Sequence, residues 1–318
     1  MTYAAGGLIQ ALDLNTLAGG NPTTTANTLN AVWATGGGAA GYGQTAVANV
    51  AAGDTVGAAN QWASIVNNTA SAASHQGSSI TSVTAPVSGG LVQYLSAIPT
   101  NIQTIYGSRL NAAAQGSTAS NAVSYGSTWS AALTFTHTAT FANGDAARYF
   151  FNAGGQLALT VSHANTAAGI NILLNQLCSN VGTVVMSAPT SGTITIVGTS
   201  YSGITKVGGG GNSPNIDATK GYFAMNTSNA TLFTQTASTG PSGYLGTFIR
   251  FIGKSNGTQG SNSDAGSVIT IYTVWDEIPD GYLAGTGSTT TLTVRPPSAA
   301  NIANTWGAIT LAGSVTGS

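Results

Sequence analysis

Ionisable side chains are so rare in this chain that most routes to chemistry are closed to it. Seven Lys and Arg and eight Asp and Glu are spread over 318 residues, where an ordinary domain is about one quarter charged. Before Asp145, the charged residues are Asp13, Asp54 and Arg109 alone. Gly, Ala, Ser, Thr and Asn take the vacant places. General acids and bases, phosphate-gripping cations and metal-ligating carboxylates are therefore few. Contact with solvent or partners falls to hydroxyls, amides and backbone. The expectation is a building block, not an enzyme, with no cofactor and no bound metal.

The chain still carries enough apolar matter for a sizeable core, with 42% hydrophobic residues. Disordered chains combine low hydrophobicity with high net charge, and here both are reversed. A net charge of −1 generates almost no long-range field, so nucleic acid and anionic membrane surfaces are not expected partners. The same near-neutrality weakens colloidal repulsion and favours association. Cys178 is the lone cysteine, so no internal disulfide is expected. No basic n-region precedes an apolar h-region, and no uninterrupted apolar run reaches spanning length; neither a secretory leader nor a membrane span is expected.

Two textures divide the chain into an expected helical module over 1–125 and a β-rich domain over 126–318. In the first, Asn21-Pro22 reads as a helix start, with Leu29, Val32 and Trp33 on one face before Gly36-Gly37-Gly38. Trp62, Ile65, Val66 and Thr69 stripe a second helix over about 57–74. Leu91, Leu95 and Ile98 keep helical spacing until Pro99, before Ile102 and Ile105. Residues 112–127, rich in Ala, Ser, Asn and Gly, read as a linker. Beyond them, runs of Val, Ile, Thr and aromatics predict strands at Trp129–Phe141, Arg148–Asn152, Leu157–Val161, Thr193–Val197, Tyr222–Met225, Phe248–Ile252, Val268–Trp275, Thr289–Val294 and Ala308–Leu311. One helix interrupts them, with Ile170, Leu173, Leu174, Leu177 and Val181 on its apolar face and Cys178 beside it. The fold class that follows is α+β: a short-helix module, then an antiparallel β-sandwich-like domain with one packed helix.

Few constellations suggest chemistry. Asp276, Glu277 and Asp280 form the densest acidic cluster, but their spacing fits no EF-hand and reads first as a solvated turn. His75, His137 and His163 are far apart in sequence, and His137 reads as a strand histidine. No Gly-x-Ser-x-Gly elbow or phosphate-loop Lys-Ser/Thr is present. Arg148, next to Tyr149, Phe150 and Phe151, needs an acidic partner in so neutral a chain; Asp145 or the Asp276/Glu277 pair is expected. The aromatic run itself reads as a strand buried on both faces, between the turns Asn143-Gly144-Asp145 and Asn152-Ala153-Gly154-Gly155.

Two blocks carry a resemblance to a known group. The first is Gly41-Tyr42-Gly43-Gln44, with Val47, Val50, Ala52-Gly53-Asp54-Thr55, Gln61-Trp62 and His75-Gln76 following. The second is Phe135-Thr136-His137-Thr138 with Asn143-Gly144-Asp145-Ala146-Ala147-Arg148-Tyr149-Phe150-Phe151-Asn152-Ala153-Gly154-Gly155. Both resemble virion structural, tail-fibre-like proteins of tailed bacteriophages, cyanophages in particular. The resemblance touches about half of the chain and implies no catalytic residues. It implies a fibre, collar or tail appendage made in the host cytoplasm and built into the virion. Its partners would be other virion proteins and copies of itself, a trimer being favoured, with a host surface receptor as a further partner. A capsid decoration protein or a receptor- or carbohydrate-binding module stands as the alternative, and a glycan depolymerase ranks below both. Gly41, Tyr42, Gly43, Gln44, Trp62, Arg148, Tyr149, Phe150, Phe151 and Asn152 are the candidate assembly residues.

Overall fold

The structure is a computed structural model. It describes residues 11–19, 27–51, 53–54, 56–90, 96–211, 213–237, 244–259, 265–277 and 281–317. The expected helix start at Asn21-Pro22, the residues Leu91 and Leu95, and Asp280 of the acidic cluster lie outside the described residues.

Four helices come first: α1 (Ala11–Ala18), α2 (Leu29–Trp33), α3 (Ala63–Gln76) and α4 (Ala97–Gly107). A single π-helical turn, Ala58–Trp62, leads into α3. The expected stripe is the buried face: Trp62, Ile65, Val66 and Thr69 are all buried. Pro99 sits in the first turn of α4, where a missing N–H costs nothing. The helix therefore runs through it to Ile102 and Ile105.

The β-rich part contains β1 (Ala119–Tyr125), β2 (Ala132–Thr140), β3 (Gln156–His163), β4 (Thr183–Met186), β5 (Ile194–Ile196), β6 (Thr199–Tyr201) and β7 (Ile204–Val207). It continues with β8 (Asn215–Ile216), β9 (Ala230–Thr236), β10 (Phe248–Ser255), β11 (Val268–Asp276), β12 (Ser288–Arg295) and β13 (Thr310–Gly317). Helices α5 (Gly144–Asn152) and α6 (Ile170–Val181) are inserted between strands. One sheet has the order β1-β12-β3-β4-β7 and the other β13-β2-β11-β10-β9-β8. Every pairing within them is antiparallel.

Strict alternation builds the face between the sheets. On β2, Leu133, Phe135, His137 and Ala139 are buried while their neighbours are only half-buried. On β11, Ile269, Ile271, Thr273 and Trp275 do the same. Register places Phe135 opposite Thr273 and Leu133 opposite Trp275. Helix α6 lays its predicted face on β3, β9 and β10, with Cys178 buried. One hydrophobic cluster runs from Leu14 and Ile65 in the helices through Phe135 and Trp275 in the sheets. The α+β class is thus the observed one. No helix among the described residues is long and apolar enough to cross a membrane.

Four local expectations are overturned. Arg148–Asn152 is helical, not a strand: Asn143 caps α5, its side chain accepting the Ala146 N–H at 2.8 Å. The turn chemistry of Asn143 therefore opens a helix instead of a hairpin. Tyr222–Met225 is also no strand; Tyr222–Ala224 form a 3-10 turn that stacks Tyr222 on Phe151 at 4.2 Å. The supposed linker contains β1, paired along its whole length with β12. Its small residues suit an edge strand with an exposed face. Lastly, Glu277 is fully buried instead of solvated, because its amide continues the β11 ladder to Ala131 O at 3.0 Å.

Candidate functional site

The two blocks of candidate residues meet in space. After α2 the chain doubles back on itself: Tyr42 N–H bonds Val32 O, Gly43 N–H bonds Ala34 O, and Gln44 N–H bonds Trp33 O, at 2.8 to 2.9 Å. Helix α5 then holds this returning loop from the other side. Arg148 is fully buried. Its Nη1 donates to Ala40 O at 2.9 Å, and its Nη2 and Nε donate to Asp145 Oδ1 at 3.1 and 3.3 Å. Asp145 is thus the acidic partner, as expected, and Asp276 and Glu277 are not.

One turn further along α5, Asn152 Nδ2 faces three carbonyls, Gly38 O, Ala40 O and Gly41 O, at 3.2, 2.9 and 3.1 Å. Only the NH2 end of an amide can face three acceptors, so the orientation of the group is determined. Its Oδ1 is buried without a partner. Tyr149 closes the third side. Gly43 has φ +70, and a Cβ there would sit 2.5 Å from the Tyr149 ring, so glycine is required for backbone shape and for space. Phe150 and Phe151 point the other way, into a buried cluster with Phe141.

Tyr42 ties the same loop to the helical module. Its hydroxyl donates to Arg109 O at 2.8 Å and accepts from Gln76 Nε2 at 2.7 Å; Gln76 Nε2 also reaches Ile105 O. Complete burial pushes the Tyr42 phenol far above its ordinary range. The neighbouring His75 bonds Ala153 O at 3.0 Å, joining the end of α3 to the end of α5. Gln44 pairs with both backbone groups of Ala303, at 2.9 and 3.0 Å. The loop 38–44 is therefore a clasp on which α3, α4, α5 and the segment before β13 converge. Trp62 is not part of it: it precedes α3 and Gln76 ends it, about 20 Å apart along the helix.

Gln76, Arg109 and Asn143 take part although they were not among the candidate assembly residues. Arg109 carried a usable signal, being the lone cation before Arg148; its Nε donates to Ala39 O.

The three histidines and Cys178 are buried. His137 Nε2 lies 2.6 Å from Thr290 Oγ1 and its Nδ1 3.3 Å from Asn121 Oδ1. Burial lowers its pKa to about 4. His163 sits between Ser288 Oγ at 3.1 Å and Asn171 Oδ1 at 2.9 Å, and burial lowers it too, as it does His75. Burial also pushes the Cys178 thiol well up, away from reactive thiolate. Among the described residues, no three of His, Cys, Asp and Glu come together. Two surface clefts are uncharged: one of 520 Å³ lined by Trp33, Gln44, Asn60, Gln61 and Asn68, and one of 430 Å³ between α3 and α4, lined by Thr69, Ser74, Ile80 and Asn101. The buried polar groups hold one segment against another, and neither of these two clefts is lined by an acid or a base among the described residues. Compared with known proteins, the chain matches no family model, no curated protein and no solved structure.

Proposed function

We propose that this protein is a structural component of a bacteriophage particle, a fibre, collar or tail appendage, assembled with copies of itself and with other particle proteins. The observation that carries the reading is how the chain uses a set of buried polar side chains. Arg148, Asn152, Gln76 and all three histidines are buried and bonded to protein groups. They lock loops in place, which suits a part whose work is to keep its shape. The net charge of −1 supports protein partners over nucleic acid. Trp62, Trp129, Trp275 and Trp306 are buried, which favours packing over sugar stacking on exposed rings. The resemblance of the clasp residues to virion proteins supplies the particle itself.

Mass spectrometry and cryo-electron microscopy of purified particles test this. The expected outcome is the chain at several symmetric copies per particle, traceable in the density. Its absence from purified particles, with the protein recovered free from host lysate, would overturn the reading.

A further inference from the structure

Strands β13 and β1 are the terminal strands of the two sheets, and they lie on the same side of the molecule. Gly313 faces Asn121 and Val123, and Gly317 faces Tyr125, so the two edges run one above the other in the same direction. β13 pairs with β2 over eight residues without a register shift, and β1 pairs with β12 over seven. Neither strand contains a charge or a proline. Most of β13 is exposed, and the rest only half-buried.

The other side of the sandwich is built differently. Its terminal strands are β7, four residues including Lys206, and β8, two residues, with Asp217 and Lys220 close behind. The next pairing, β9 with β10, is broken by a register shift. Short strands, lysine and bulges are the devices that keep a sheet edge from recruiting another strand. This protein uses them on one side and omits them on the other.

We infer that the open side is an interface: β13 pairs antiparallel with β13 of a second copy, and β1 follows with its own counterpart in the second layer. Among the described residues no strand pairs with the outer edge of either, and the natural complement of such an edge is another strand edge. A strand paired antiparallel with its own copy is self-complementary about a twofold axis, and one axis normal to the sheets serves both layers. Thr310, Ala312, Ser314 and Thr316 alternate with the inward-facing residues of β13; they are small and uncharged, so nothing repels the approach. The inference stands on the strand edges and holds whether or not the particle reading is correct.

The test is the mass of the full-length chain in solution, by sedimentation and native mass spectrometry. A dimer is expected. Ala312→Lys combined with Ser314→Lys halves the mass while leaving the circular dichroism spectrum and the melting profile intact. Mixing that variant with Ala312→Glu/Ser314→Glu restores the dimer. Hydrogen exchange on the unaltered chain reads the same interface without a substitution: β13 amides gain protection as protein concentration rises. A monomeric chain, a trimer that survives the lysines, or β13 exchange independent of concentration would each overturn the inference. A monomer that is still found in particles removes this interface and leaves the proposed function standing.

Discussion

At Arg148, one fully buried guanidinium serves a carboxylate on its own helix and a carbonyl on a distant loop. A lysine has one compact ammonium and cannot span both with fixed geometry. Arg148→Met removes the bond from Nη1 to Ala40 O and both bonds to Asp145 Oδ1, and a loss of about 2 kcal/mol is expected from urea denaturation. Arg148→Lys is expected to recover only a minor part of it. The need for a partner was legible in the sequence, because an arginine among aromatics in a nearly uncharged chain must be paired. The choice of Asp145 became certain only when three residues of separation turned out to be one helical turn. His137 tests a different consequence of burial. Its pKa falls to about 4, so the folded state binds fewer protons than the unfolded state between that value and the ordinary 6.5. Stability is then fully present above about pH 6.5 and declines as pH falls towards 4. His75 and His163 are lowered as well and act in the same direction. Melting temperatures across that range are expected to drop steadily. His137→Gln, which keeps a donor and an acceptor but cannot take up a proton, makes the drop shallower.

Among the elements, α5 shows why local pattern reading failed where it did. Tyr149-Phe150-Phe151 has strand-like composition, and the run is too short for helical periodicity to declare itself. The decisive signal lay outside it, in Asn143 as a cap with Asp145 in the first turn, a signature that also reads as a turn. β1 was hidden for the opposite reason. It pairs edge-on with β12 and its Ala and Ser residues are mostly exposed, so it lacks the apolar alternation that marks a strand. Long strands with buried alternate residues, such as β2 and β11, were legible because their inner faces are large and regular. The tertiary use of α5 can be tested through Gly43. Gly43→Ala meets both the positive φ and the Tyr149 ring, and a cost of about 2 kcal/mol is expected. In a Tyr149→Ala background the ring is gone and only backbone strain remains, roughly 1 kcal/mol. Equal costs in the two backgrounds, measured by the same denaturation series, would show that α5 does not press on the loop.

For the molecule as a whole, scarcity of charge has a structural corollary: cohesion comes from apolar packing and from hydrogen bonds between segments far apart in sequence. The clasp joins residues 38–44 to Arg148 and Asn152, more than 100 positions away, and to Ala303, 259 positions away. Strand β1 reaches across in the same way to β12. None of this non-local pairing could be read from periodicity, which reports only what neighbours along the chain do. It does make a prediction about dissection. Residues 126–318 expressed alone would lack β1, which leaves the β12 edge unpaired, and would lack the loop that satisfies Arg148 and Asn152. Such a fragment is expected to unfold at markedly lower temperature than the full chain and to aggregate through the bared edge. Adding back residues 112–125 covers that edge and should restore solubility without restoring full stability, because Arg148 would still face no Ala40. A fragment 126–318 that melts as cooperatively and as high as the full chain would mean that the clasp and β1 contribute nothing to the fold, and that the helical module is merely tethered to a self-sufficient sandwich.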